Sequence, residues 1–306
     1  GQWKVTLDPL KVAEGLTLTV KGKNTITVQD VLVGEVWLGS GQSNMAGHVN
    51  GFTKGDPVLA QAAAVTYPKL RLLHAGRKGW ELATPDNNGK FSALLFAFGF
   101  RLQQELDVPV GIMVGAVGGT PSGYWLTEEM LRDDAACREQ TEAFAKTFDF
   151  DAAQKKYQEQ LAAWRVAAEK AKQENAKAPR PPSAPVKAGE SSGRIGGLYQ
   201  AHVQPFVPYA IRGVLWDQGE SGTAITGVDQ FNVMGALIKG WRKAWGLDFP
   251  FLYVQKTSGG GTAWDLNDPV TVKASAFSGL PQQVPAQNAG LYREMHIKIQ
   301  QHPKTA

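Results

Sequence analysis

Cysteine is almost absent: Cys137 is the one thiol in 306 residues, which excludes an intrachain disulfide framework. No apolar run approaches the roughly eighteen residues that mark a membrane-spanning helix. The opening stretch, GQWKVTLDPL, has neither the basic head nor the apolar middle of a secretory signal. An excess of one sign of charge is also lacking. The formal net charge is +4, and the basic residues are scattered apart from a cluster between Lys155 and Lys187. With no zinc-finger spacing and no aromatic-basic sheet signature, nucleic acid is not an expected partner. No His, Asp or Glu cluster has ligand spacing, so neither a metal nor another cofactor is expected.

Apolar bulk and glycine are what the chain has in quantity: 43% hydrophobic residues, 34 Gly and nine Trp. That suffices for a sizeable core in one large domain or two unequal ones. Residues 1–38 read as short strands, WKVTL, LTLTV, TITV and VLVGEVWL. KGKN between two alternating runs suggests a hairpin. Helical periodicity covers 92–106 and 231–246, and a further helix is expected over 287–302. Apolar runs at 108–119, 209–220 and 249–260 read as strands, each closing on glycine or polar residues. This alternation is the rhythm of an α/β sheet covered on both faces. Between 127 and 192 the rhythm breaks. Tyr157, Leu161, Trp164 and Ala168 recur at helical spacing, and APRPPSAPVKAGESSG follows. A helical insertion with an extended, Pro-rich return is expected there. It reads first as a solvated helix with a stiff linker, and second as a cover for a site or a partner.

Chemistry concentrates at strand exits. The run Val31 to Leu38 breaks into Gly39-Ser40-Gly41 and delivers Gln42-Ser43-Asn44-Met45. A hydroxyl raised at the end of a sheet can serve as a nucleophile if oxyanion donors and a base join it. Gly118-Gly119 and Gln218-Gly219-Glu220 close two further strands. In open α/β sheets ligands gather beyond the carboxyl ends of strands, so these exits either converge on a site or are ordinary turns.

The blocks VWLGSGQSNM, GAVGGTPSGYW and VPYAIRGVLWDQGES, in that order, resemble the sialate O-acetylesterases and related carbohydrate acetylesterases of the SGNH hydrolase superfamily. IKGWRKAWGLDFPFLYVQ resembles the helix-strand unit that follows them. The resemblance implies a three-layer, flavodoxin-like α/β domain over 31–306, preceded by the end of a β-rich region at 1–30 and interrupted by the 127–192 insertion. It implies Ser43 as nucleophile, and Ser43 N–H, Gly119 N–H and the Gln218 amide as oxyanion donors, with Gly118 the alternative to Gly119. Gln42, Asn44, Asp217 and Glu220 would shape or order the pocket. Asp217 stands where the family commonly has Tyr or His. An acetylated carbohydrate, on sialic acid or xylan, would be the substrate, and residence would be secreted or periplasmic.

The family's base is a His three residues after an Asp. None of His48, His74, His202, His296 and His302 has Asp at that spacing. The expectation is that the Asp/His pair lies outside this sequence, with His202 as the foremost internal substitute. A non-catalytic carbohydrate-binding protein, or a hydrolase completed by a separate chain, are the alternatives. Trp37, Trp80, Trp125 and Trp216 read first as core, and Trp80 and Trp125 are the better candidates if one or two of them line a glycan cleft.

Overall fold

The computed structural model of the chain describes residues 5, 7–219, 221–255 and 294–306. Its first elements are strands β1 (Ala13–Lys21) and β2 (Thr25–Val33), an antiparallel hairpin around the expected KGKN turn. Strand β3 (Glu35–Gly41) then leads into the single turn α1 (Ser43–Ala46). Helix α2 (Pro57–Ala63), strands β4 (Tyr67–His74) and β5 (Glu81–Ala83) and the turn α3 (Pro85–Asn88) follow, then α4 (Ala93–Leu106) and β6 (Val110–Ala116). Residues 127–192 carry α5 (Glu128–Asp133), α6 (Ala135–Ala145) and α7 (Phe150–Gln173). Helix α8 (Gly197–His202), β7 (Gly213–Asp217), α9 (Gln230–Trp245) and β8 (Phe251–Tyr253) complete the α/β unit.

Among the described residues the main sheet has six strands in the order β5-β4-β6-β3-β7-β8. Only β5 runs antiparallel. The sheet is therefore mixed, with helices on both faces, as the SGNH/flavodoxin-like expectation requires. β3 lies at its centre, paired in parallel with β6 and β7. Its apolar residues feed two cores: Leu38 packs with Met113, Val214, Trp216 and Trp241, and Trp37 with Leu95, Phe96 and Ile112. One cluster lies on each face because successive strand side chains alternate.

Local chemistry sets the element limits. Ser92 caps α4 by accepting from Leu95 N–H at 3.2 Å, and Asp107 ends it in the left-handed conformation at φ 50°. Asp229 caps α9 by accepting from Asn232 N–H at 2.9 Å, and Gly246 ends it at φ 66°. α9 buries Val233, Met234, Leu237, Ile238, Trp241 and Trp245 along one stripe. In contrast, α7 buries only Ala171. Its Trp164 donates Nε1–H to the Pro179 carbonyl at 2.8 Å, pinning the Pro-rich return to the helix.

Several expectations need correction. The apolar run 31–38 is not one strand: Val31–Val33 closes the hairpin and the central strand starts at Glu35. The break falls at Gly34, where a Cβ would lie 2.0 Å from the Pro109 carbonyl oxygen, so only glycine fits the crossing from hairpin to sheet. The central strand also continues through Gly41 rather than ending at Leu38. The described part of WKVTL, residues 5 and 7, is not in a strand. The 249–260 strand is short, Phe251–Tyr253, and residues 256–260 lie outside the described set. So do 287–293 of the expected last helix, while 294–298 are helical. The segment 49–91 gave no sequence expectation, although it supplies β4 and β5.

Leu38 is fully buried in the central strand. Replacing it with Ala should lower unfolding free energy by about 2–5 kcal/mol, read from denaturant midpoints at unchanged slope. A loss below about 1 kcal/mol would contradict a close-packed β3.

Candidate active site

The parallel register aligns Gly41 with Ala116 of β6 and Asp217 of β7, so three strands reach the same edge together. Gly41 makes the closest approach. Its φ is +126°, and a Cβ there would lie 2.1 Å from the Asp217 carbonyl oxygen. That proximity lets Gln42 N–H donate to the Asp217 carbonyl at 2.8 Å and Val117 N–H donate to the Gly41 carbonyl at 3.0 Å. The chain then turns, and Ser43 stands exposed at the first position of α1.

Gly118 lies directly against Ser43: a Cβ built on it would sit 3.5 Å from the Ser43 Cβ. Gly119 is exposed at φ +71° with open space beside it. Among the described residues the N–H groups of Ser43, Gly118 and Gly119 make no hydrogen bond. An exposed hydroxyl and unengaged backbone N–H groups are two of the three things acyl transfer by a serine needs, the third being a base.

Other expected residues fall around this pair. Gln42 is buried and accepts at Oε1 from Ser221 Oγ at 3.1 Å. Asn44 Nδ2 donates to Asp217 Oδ1 at 3.3 Å, so the Asp217 carboxylate, 6% exposed, braces the turn after Ser43. Gln218 is 2% exposed. Its Nε2 donates to the carbonyls of Thr120 and Gly222, both at 3.1 Å, and its Oε1 accepts from Gln230 Nε2 at 3.0 Å. Both amide protons thus face backbone carbonyls. Glu220 lies outside the described residues.

The histidines divide into two groups. His302 accepts or donates at Nε2 against the Phe231 carbonyl at 3.0 Å and stacks on the Phe231 ring. His296 is buried with its ring against Tyr253. His48, His74 and His202 instead line one cavity of about 160 Å³ with Ala46, Ser92 and Ala116. Burial lowers the pKa of His202, and that of His74 too. For His74, Glu81 opposes that shift while Arg77 and His48 add to it. Among the described residues no imidazole hydrogen-bonds Ser43 Oγ. The lone thiol is no competing nucleophile, because burial pushes Cys137 up to about 12.

Trp125 is corrected as a sugar platform. It is fully buried, edge-on to Trp216, and donates Nε1–H to Thr120 Oγ1 at 3.1 Å. Trp80 packs over Gly111 at the opposite end of the sheet. There it lines a groove of about 540 Å³ with Tyr209. A groove of about 940 Å³ runs between α6 and residues 189–195. Ser43 lines neither groove. Among the described residues no group of three or more His, Cys, Asp or Glu is placed to hold a metal ion, and no helix is long and apolar enough to cross a membrane. Sequence reasoning gave no role to Ser122 and Ser221, which lie within the quoted blocks, or to Gln230, which lies outside them.

Comparison with known proteins extends the picture. The sialate O-acetylesterase of Homo sapiens is 27% identical over 313 residues, taking in 92% of this chain and 49% of the relative. That of Rattus norvegicus is 28% identical over 288 residues, 84% of this chain and 50% of the relative. The chain is a distant relative of SGNH-type carbohydrate acetylesterases. It spans about half the length of the curated relatives it matches. A carbohydrate acetylesterase from Xanthomonas citri shares the fold, with a TM-score of 0.63 at 23% identity over 99% of this chain and 56% of that one. No family model matches the chain.

Burial lowers the pKa of His74, His202 and His302 alike. As pH falls the unfolded chain protonates first, near the ordinary imidazole value of about 6.5. The stability from keeping these rings neutral is therefore complete above that pH and is lost as pH drops through the lower folded values. Urea midpoints should fall between about pH 7 and pH 5, and the slope should flatten in His74→Gln/His202→Gln. An unchanged slope would contradict the neutral, half-buried state of these rings.

Proposed function

We propose that the protein is a serine esterase that removes O-acetyl groups from carbohydrates. One observation carries this reading: Ser43 is exposed at the exit of the central strand with Gly118 against it, and among the described residues the N–H groups of Gly118 and the adjoining Gly119 are unengaged. The distant relationship to carbohydrate acetylesterases supports the same chemistry. Ser43 Oγ attacks the acetyl carbon and gives up its proton to a base. The tetrahedral oxyanion accepts hydrogen bonds from Ser43 N–H and Gly119 N–H, each worth roughly 3 kcal/mol when well placed. Collapse expels the sugar hydroxyl, which takes the proton, and leaves acetyl-Ser43. Water then attacks the acetyl group, returns Ser43 and releases acetate.

Asp217 and Asn44 hold the turn that presents Ser43, and Gln42 ties it to Ser221. In the family that the chain resembles the proton acceptor is a histidine three residues after an aspartate, and among the described residues none of the chain's five histidines hydrogen-bonds Ser43 Oγ. Sialic acid and xylan-type units are the proposed carriers of the acetyl group.

A second reading has one observation in its favour. With no imidazole on Ser43 Oγ among the described residues, the same site could bind an acetylated sugar without turning it over. Acetate release from an acetylated sugar by the protein separates the two. Ser43→Ala should cut kcat at least about a thousandfold. Unchanged turnover in that variant would remove Ser43 as nucleophile, and sugar binding without acetate release would favour the second reading.

A further inference from the structure

Gln218 belongs to a buried hydrogen-bonded relay whose direction is forced. Its Nε2 faces two backbone carbonyls, Thr120 and Gly222, which can only accept. Its Oε1 must therefore face a donor, and Gln230 Nε2 fills that place. Gln230 Oε1 in turn accepts from Ser122 Oγ at 3.0 Å. Gln218, Gln230 and Ser122 are 2%, 1% and 0% exposed, so each link exists in a medium where an unmade bond is costly. The backbone continues the stitching: Ser122 N–H donates to Gly222 O at 3.0 Å and Gly123 N–H to Thr223 O at 2.9 Å.

The far end of the relay is anchored in the helical insertion. Gln230 opens α9 next to its cap, Asp229. Gln140 of α6 donates Nε2–H to Asp229 Oδ2 at 2.8 Å, and its Oε1 accepts from Asp229 N–H at 2.9 Å and Asn232 Nδ2 at 2.8 Å. A continuous chain of polar contacts thus runs from Gln140, through the start of α9, to Gln218 and Thr120, one residue beyond Gly119.

We propose that Gln230 is a positioning residue, which through Gln218 and Ser122 fixes the Gly118–Thr120 loop so that its backbone N–H groups stay aimed beside Ser43. On the reading of Ser43 given above, Gln218 contributes by holding this loop rather than by donating directly to the oxyanion. Direct donation by the proton now on Thr120 O would leave that buried carbonyl without another donor among the described residues, whereas Gly222 O would keep the Ser122 N–H. The insertion then acts on the site at a distance, as a mount for the relay.

The test compares Gln230→Glu, Gln218→Ala and their combination in the protein, using an acetylated sugar. Gln230→Glu keeps the acceptor for Ser122 and replaces the donor to Gln218 with a charged carboxylate oxygen. We expect kcat to fall about tenfold with KM within about twofold, and the double variant to lose no more than about threefold beyond Gln218→Ala. Amide exchange supplies a readout that does not depend on catalysis. In Gln230→Glu, protection at Ser122 and Gly123 should drop about tenfold while the β3 amides keep theirs. Gln230→Met, apolar and similar in length, should give the same exchange pattern if the charge of Gln230→Glu disturbs folding. Full kcat and full protection in Gln230→Glu would overturn the relay. So would losses that multiply in the double variant, which would make Gln218 an independent donor. A wild-type protein that releases no acetate would sink the esterase reading, and the exchange pattern would still decide the relay.

Discussion

Everything at the candidate site depends on how closely β3 approaches β7. At Gly41 the two backbones come together where a single methyl group would overlap the Asp217 carbonyl. The Gln42 N–H to Asp217 bond and the Val117 N–H to Gly41 bond fasten β3 to both neighbours at the last residue before the turn. Because the strands are parallel and in register there, their exits leave the sheet at one level. Ser43 and Gly118 become neighbours through that geometry, although 75 positions apart in the chain. A buried sheet transmits such placement rigidly, since packed interiors resist local deformation.

The site also shows a division of labour between backbone and side chain. Among the described residues the backbone N–H groups at Ser43, Gly118 and Gly119 are unengaged. Meanwhile the side-chain amides of Gln218 and Gln230 are spent on each other, on carbonyls and on Ser122, and Gln42 Oε1 accepts from Ser221. Buried carboxamides suit this task, because each can accept and donate at once without carrying charge into the core. The Asp217 carboxylate is held at the edge, against Asn44.

Much of the fold was legible because burial leaves a periodic trace. The α4 and α9 stripes, the β6 run and the Ser43, Gly118 and Gln218 blocks could all be read from residue type and order. β4 was not, since Tyr67-Pro68-Lys69-Leu70-Arg71 alternates with long charged side chains that mask the apolar face; Lys69 and Arg71 pair with Asp107 and Asp30 instead. The division of 31–38 was missed because valines continue across Gly34, and only the Pro109 carbonyl explains the break. Trp125 looked available because it follows a glycine-rich turn, yet the turn folds inward and carries the ring into the core. Gln230 and Ser122 were invisible for a different reason. A hydrogen bond between residues 108 apart leaves no pattern in one sequence.

The claim beneath the functional reading is that the Gly118 loop rests against Ser43. The ideal Cβ at Gly118 lies 3.5 Å from that of Ser43, inside the range of about 3.5–4.5 Å that a disulfide spans. The Ser43→Cys/Gly118→Cys variant tests this directly, because buried Cys137 does not compete. Under mild oxidation of the folded protein the two introduced thiols should disappear together as an intrachain disulfide, identified by peptide mass. If both thiols stay free while the fold is intact, the two exits do not meet and the site described here does not exist.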